Sequence, residues 1–285
     1  MAAVFLLASL SVFMTSPSAG LTVIDMTFDM GSDLTVAWPG NPPFNFTILS
    51  RGQQPNYWYE SNYFGTPEHA GTHVDAPAHF NQNSWRVHDI PASRLVGPAV
   101  VIDVSEKAAS DPDYRLSVDD IQSWEKTHGR VPDGAVVLMN SGRDSLYPNA
   151  TLVFGTDTPT DPSTFHFPGI HPDAATFLTE QRDVTAVGVD TPSTDYGQSR
   201  TFETHVILAR HNILGLENVR NMNRLPPRGA TIMIGLVNLY DGSGGPARIL
   251  GIIDGAASRT ASGHAFRMDV LLWVLAVFSL LRTVS

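Results

Sequence analysis

At 285 residues, with 18 Lys and Arg against 28 Asp and Glu and a formal charge of −10, the chain is long enough for one large domain and has no basic tract for nucleic acid. Cysteine is absent, which excludes disulfides, thiolate ligands and a cysteine nucleophile, so any metal must be held by nitrogen and oxygen. Apolar residues at 42%, including 14 Phe and 5 Trp, suffice for a sizeable core.

Residues 1–20 read as a signal peptide: Val4 to Met14 is apolar, and Ser16-Pro17-Ser18-Ala19-Gly20 supplies small residues for cleavage. Export would make the protein secreted or surface-borne and would turn Asn45-Phe46-Thr47 and Asn149-Ala150-Thr151 into glycosylation sequons. The first hundred residues, rich in Pro and aromatics with short alternating segments such as Leu21 to Met26 and Tyr57 to Tyr63, predict β-structure and loops. The β-branched run Pro98 to Val104 predicts a buried strand. A helix follows, with Ser117 and Asp120 as a capping box, Val118, Ile121 and Trp124 on one face and Gly129 as its stop. Asp133-Gly134 turns into a strand over Ala135 to Met139, and Pro172 opens a helix over Asp173 to Gln181. Strands over Thr185 to Asp190 and Thr231 to Val237 complete a mixed α/β pattern in one domain, residues 21–258. The tail, residues 259–285, joins a polar spacer to the apolar run Val270 to Leu281, about two-thirds of a membrane span. With Gly255 to Ser258 before it, this is the order of a glycolipid-anchor signal, the only membrane attachment expected; a helix packed on the core or a partner is the alternative.

The chemistry is concentrated in His69-Ala70-Gly71-Thr72-His73-Val74-Asp75-Ala76-Pro77-Ala78-His79, three imidazoles and a carboxylate within eleven residues. Gly71, Val74 and Pro77 oppose a helix and favour an extended strand or a tight loop; in extended chain His69, His73, Asp75 and His79 share odd positions and hence one face. Imidazoles with a carboxylate suit zinc, manganese or iron(II), leaving a position for a water whose acidity the metal raises. Hydrogen-bonded core histidines are the competing account. A second cluster, Phe202 to Glu217, offers His205 and Glu217 to complete the site. The aromatics Tyr57, Trp58, Tyr59, Phe64 and Trp85 are candidates for a wall against an aryl substrate, and Asp190, Ser193 and Tyr196 for a ligand-facing loop or a turn.

The pattern His-x-Gly-Thr-His-x-Asp-x-Pro-x-His, complete from His69 to His79, resembles that of the cyclase family, which contains bacterial-type kynurenine formamidases and isatin hydrolases. Phe167 to Ile170, Gly188 to Gly197 and the twelve-residue spacing of His205 and Glu217 support the likeness, which spans roughly residues 21–255. The resemblance implies a swivelling β/β/α-type single domain with a barrel-like core and surrounding helices, and a homodimer. It also implies that His69, His73 and Asp75 hold one metal ion, that Asp75, His205 and Glu217 can hold a second, and that His79 carries protons as general acid and base. The implied reaction is zinc- or manganese-dependent hydrolysis of a small aryl amide or lactam, N-formylkynurenine or isatin. A dehydratase or cyclase would use the same ligands. A binding protein that had lost the chemistry would have lost ligands, and every motif position is filled.

Overall fold

The computed structural model describes residues 20–255, so nearly all of the expected leader and the whole apolar tail lie outside the described residues. In chain order the elements are β1 (Leu21–Asp25), β2 (Asn45–Gln53), β3 (Trp58–Gly65), β4 (His73–Asp75), β5 (Val96–Asp103), α1 (Ser105–Ser110), β6 (Arg115–Leu116), α2 (Val118–His128), β7 (Ala135–Asn140), α3 (Ala150–Phe154), β8 (Gly169–Ile170), α4 (Pro172–Gln181), β9 (Val184–Val189), α5 (Glu203–Arg210), β10 (Leu214–Glu217), β11 (Arg228–Leu236) and β12 (Gly244–Asp254). Residues 23–253 make one compact unit; the remaining described residues, 20–22 and 254–255, belong to a separate one.

The main sheet runs β12-β11-β5-β7-β9-β10-β4 and returns to β12 through the β4–β12 pairing, so seven strands close into a barrel, with β1 alongside β12. From β5 to β10 the strands of the ring are parallel, joined by helical crossovers; its other four pairings are antiparallel. Strand alternation then sorts the core. Val74, Ala99, Val101, Val136, Leu138, Ala186, Leu214, Leu216, Ile232, Ile234, Ala247 and Ile249, drawn from all seven strands, form one buried cluster, which is the barrel interior. The opposite face of β5, β7 and β9, with Val100, Ile102, Val137, Met139, Val187 and Val189, packs against Ile121 and Trp124 of α2, Phe177 and Leu178 of α4 and Leu208 of α5. A register shift at the start of β7 and β9 turns Val184 and Val187 outward and Ala186 inward; the displaced Thr185 donates its hydroxyl to the Gly134 and Ala135 carbonyls. The mixed α/β single domain with a closed barrel core, implied by the sequence likeness, is therefore what the chain forms.

Local signals translate directly. Ser117 accepts from the Asp120 amide while the Asp120 carboxylate accepts from the Ser117 amide, and Gly129 ends α2 with φ 84°. The hairpin β2–β3 forms a separate two-stranded sheet. No helix among the described residues is long and apolar enough to cross a membrane.

Candidate metal centre and active site

The parallel strands of an α/β sheet present their carboxyl ends to ligands. Here the loop after β9 supplies Ser193 and Asp195, the crossover helix α5 supplies His205, and β10 ends on Glu217. The antiparallel β4 brings its residues to the same place by register alone: His73 pairs with Glu217 and Asp75 with Gly215. On its other edge Asp75 faces Gly244. Asp75 thus sits between two glycines, of which Gly244 leaves no room for a side chain and Gly215 little. A Cβ on Gly215 would press on Asp75 at 3.2 Å, and one on Gly244 would meet the Val74 carbonyl at 2.6 Å and overlap the His69 ring.

The expected single extended run from His69 to His79 is shorter than its spacing suggested. Only His73 to Asp75 is strand, with Val74 turned into the barrel and its two neighbours turned out. His69 reaches the group because the chain bends at Gly71, φ 62°, and His79 because Pro77 to His79 is a 3-10 turn. All four side chains still converge, though by two turns rather than one pleated face.

Within the group, His69 Nδ1 lies 2.6 Å from Asp75 Oδ1, and its Nε2 lies 3.0 Å from the Ser243 hydroxyl. His73 Nδ1 donates to the Gly71 carbonyl at 2.9 Å, leaving Nε2 to face Asp75 Oδ1 at 3.3 Å and Glu217 Oε2 at 3.4 Å. His205 Nδ1 donates to Asp195 Oδ2 at 2.6 Å, and its Nε2 faces Asp75 Oδ2 at 3.2 Å and Glu217 Oε1 at 3.0 Å. Asn218 braces the bend by donating to the same Gly71 carbonyl, while Thr72 Oγ1 donates to the Asn218 carbonyl. Two sets of ligand atoms lie within 4.8 Å of one another: His69, Asp75 and His79, and His73, Asp75 and Glu217. Asp75 belongs to both. The division differs from that implied by the family likeness, since His73 falls with Glu217 and His79 comes within ligand reach.

These residues fit a cation. With Nδ1 of His73 and His205 engaged outward as donors, their Nε2 lone pairs point at carboxylate oxygens, acceptor against acceptor. His73 Nε2 and Asp75 Oδ2 are buried with no hydrogen-bond partner. Such groups are costly unless something positive sits among them. The electrostatics agree. Burial opposes charge on His73, yet Asp75 and Glu217 hold its imidazole up at about 9. His205 is likewise driven well above its usual range by Asp195, Asp75 and Glu217 against its burial, and hydrogen bonds from the three imidazoles keep Asp75 well below the carboxylate range despite desolvation. Protons here do the work that a divalent cation would take over, with proton release, on binding. His79 differs. Its edge is open to solvent, but its ring stacks on His69 at 3.7 Å, and desolvation with the nearby imidazoles pushes it down to about 4 against the pull of Asp75. It is neutral at neutral pH.

Above this floor is a cavity of about 290 Å³, walled by Val36, Trp38, Phe80, Pro192 and Phe202. Among the described residues neither lysine nor arginine lines it. Trp38 and Phe202 meet edge to face at 6.4 Å, and Phe80 lies 4.3 Å from the His205 ring. Phe202 takes the left-handed φ of 50° as the N-cap of α5, a strained conformation for an aromatic residue that places its ring at the cavity. The wall is not the one expected. Tyr57, Trp58, Tyr59 and Phe64 stand exposed on β2–β3 or its turn, and Trp85 is packed beneath Arg94. Their aromatic density reflects the hairpin, whereas Phe80 and Phe202 adjoin His79 and the Glu203-Thr204-His205 cluster, the nearest thing to a sequence signal. Ser193 lines the cavity as one reading expected, but Asp190 turns away to accept from the Ser141 and Arg143 amides, and Tyr196 packs beneath Arg115.

A family model described as putative cyclase matches residues 24–196. An isatin hydrolase from Roseibium aggregatum is 32% identical over 250 residues, 83% of this chain and 93% of that protein. A kynurenine formamidase from Salinibacter ruber is 27% identical over 228 residues, covering 80% and 96%. Among solved structures, isatin hydrolase A from Ralstonia solanacearum superposes with a TM-score of 0.75 at 32% identity, covering 82% of this chain and 92% of that one.

Proposed function

Since the chain belongs to the cyclase family of hydrolases, we propose that it hydrolyses the carbon–nitrogen bond of a small, uncharged aryl lactam of the isatin type. The observation that carries this reading is the cavity: aromatic and aliphatic walls, with no lysine or arginine among the described residues, above a cluster of imidazoles and carboxylates. N-formylkynurenine carries an amino-acid group whose carboxylate would find no lysine or arginine among the described residues of that wall. The identity to an isatin hydrolase over most of both chains supports the same choice.

In this proposal His69, His73, Asp75, His205 and Glu217 hold one or two zinc or manganese ions. A divalent cation held there supplies Lewis acidity, polarising a carbonyl and acidifying water. The residues of the chain do the rest. Trp38, Phe80 and Phe202 clamp the ring and exclude bulk water. The imidazole of His79, neutral and at the cavity edge, accepts the proton of the attacking water and passes it to the nitrogen as the ring C–N bond breaks, giving an arylamine and a carboxylate.

The test is a paired assay of purified full-length protein, supplied with Zn²⁺ or Mn²⁺, against isatin and N-formylkynurenine. Isatin is expected to be the better substrate. Preference for the formamide would move the chain to the other branch, a product lighter by one water would identify a dehydratase, and no turnover of either would refute the reading. Trp38→Ala is expected to raise KM for isatin about tenfold with little change in kcat, the loss of one aromatic contact.

The proposal includes a homodimer. A two-stranded ribbon is marginal by itself, yet β2–β3 exposes Phe46, Ile48, Leu49, Tyr57, Trp58, Tyr59, Tyr63 and Phe64. Strand alternation divides these half-exposed side chains between the two faces of the ribbon, Tyr59 and Tyr63 on one and Trp58 and Phe64 on the other, so a partner is expected to grip it from both sides. Light scattering is expected to give a dimer, and Trp58→Glu with Tyr63→Glu to shift it towards monomer; a wild-type monomer at micromolar concentration would contradict this.

A further inference from the structure

The three imidazoles that face the carboxylates are not held alike. The outer nitrogen of His73 donates to a neutral backbone carbonyl, and that of His69 meets a serine hydroxyl. Glu68 stands farther back from His69, 3.9 Å from its Nε2 and bonded to the Ser243 hydroxyl, so His205 is the one of the three with a carboxylate hydrogen-bonded directly to its outer nitrogen. Asp195, buried at 3% exposure, accepts from His205 Nδ1 at 2.6 Å and from the His205 backbone amide at 3.1 Å through Oδ2, while its Oδ1 accepts from the Thr204 amide at 3.1 Å and the Ser199 hydroxyl at 3.2 Å. One side chain therefore caps the first turn of α5 and grips the ring that the turn carries. Thr194 assists on both sides of the site, its hydroxyl 3.2 Å from His205 Nδ1 and its amide donating to Glu217 Oε1 at 2.9 Å.

We propose that Asp195 is the positioning residue that fixes His205 in its Nδ1–H tautomer, so that the Nε2 lone pair is committed to a cation between Asp75 and Glu217. The inference rests on the metal-dependent reading above. An outer carboxylate both orients a metal-binding imidazole and makes it a stronger donor. The backbone carbonyl behind His73 does only the first. His205 is thus the imidazole whose donor strength depends most on a single side chain, and that side chain contributes no ligand atom of its own.

Asp195→Asn separates this role from helix capping. With the amide oxygen in the place of Oδ1 it can still accept from the Thr204 amide and the Ser199 hydroxyl, while its NH₂ group, in the place of Oδ2, faces Nδ1 and favours the opposite tautomer, turning the ring proton towards the cation site. In full-length protein, Zn²⁺ affinity measured by competition with a chromophoric chelator is expected to fall about 10–100-fold, the usual range for an outer partner of a ligand. The metal-free variant should melt within a few degrees of wild type. In protein loaded with Zn²⁺, long-range ¹H–¹⁵N correlation of histidine-labelled wild type should place the one His205 ring proton on Nδ1, with Nε2 unprotonated. Wild-type affinity in Asp195→Asn, or an Nε2-protonated His205 in Zn²⁺-loaded wild type, would overturn the role of Asp195; the latter is decisive even if the variant does not fold. Failure of wild type itself to bind Zn²⁺ or Mn²⁺ would instead refute the metal-dependent reading.

Discussion

Replacing Asp75 with alanine is expected to leave a folded protein that retains no stoichiometric metal and turns over its substrate at least about a thousandfold more slowly. Asp75 is the member common to both sets of ligand atoms, and its two oxygens face three imidazoles: His69 and His73 at Oδ1, His205 at Oδ2. Without it each remaining set has two ligand groups, too few for a zinc or manganese site, and the negative charge that draws a cation is halved to Glu217 alone. Folding should survive because the position lies between Gly215 and Gly244, where alanine adds no bulk, and because its neighbour Val74 carries the packing of the strand. The imidazoles left without a carboxylate cost about 1–3 kcal/mol. Elemental analysis of protein purified with added zinc or manganese, alongside far-UV circular dichroism, checks the outcome. Full metal content in the variant would exclude Asp75 as a ligand.

His79→Ala is expected to behave differently, with kcat lowered about 10²–10⁴-fold and metal content close to wild type. The contrast follows from position. His79 is held by no hydrogen bond among those of the site, is open to solvent and touches the cluster mainly by stacking on His69. A group that must exchange protons with water and substrate belongs at such an edge, whereas the ligands of a tight site are enclosed. Because its ring nitrogen also comes within ligand distance of His69 and Asp75, elemental analysis decides its role: equal metal loss in His79→Ala and Asp75→Ala would make it a ligand and leave proton transfer to another group. Retained metal together with retained activity would remove His79 from the chemistry altogether.

The sequence was most informative where local chemistry decides local structure. The Ser117 and Asp120 capping box, Pro172 at the head of α4 and the β-branched runs of β5, β7 and β9 became the elements their residues predict, because each signal acts within one or two turns of chain. Convergence of His69, His73, Asp75 and His79 was also legible, though for an incomplete reason: alternation accounts for His73 and Asp75, while positive φ at Gly71 and the turn at Pro77 bring in the outer two. What stayed hidden depends on contacts distant in sequence. Barrel closure needs β4 to pair with both β10 and β12, and nothing in a three-residue strand announces two partners. The cavity wall joins Trp38, Phe80 and Phe202 from three separate segments, and density of aromatic residues pointed instead to the hairpin. Asp195 lay within a segment whose turn-forming composition masked it, and its meaning appears only when α5 sets His205 against it.

The ring of seven strands is joined through its shortest member. Only the three pairs that β4 makes on each side separate a closed barrel from an open sheet, in which β10 and the Gly244 to Pro246 end of β12 would be bare edges, and two of the three residues of β4 belong to the proposed cation site. A cation bound there acts as a clasp on the fold. Bare strand edges invite pairing between molecules, so scarcity of metal would impair the enzyme twice, by stopping its chemistry and by exposing the chain to aggregation.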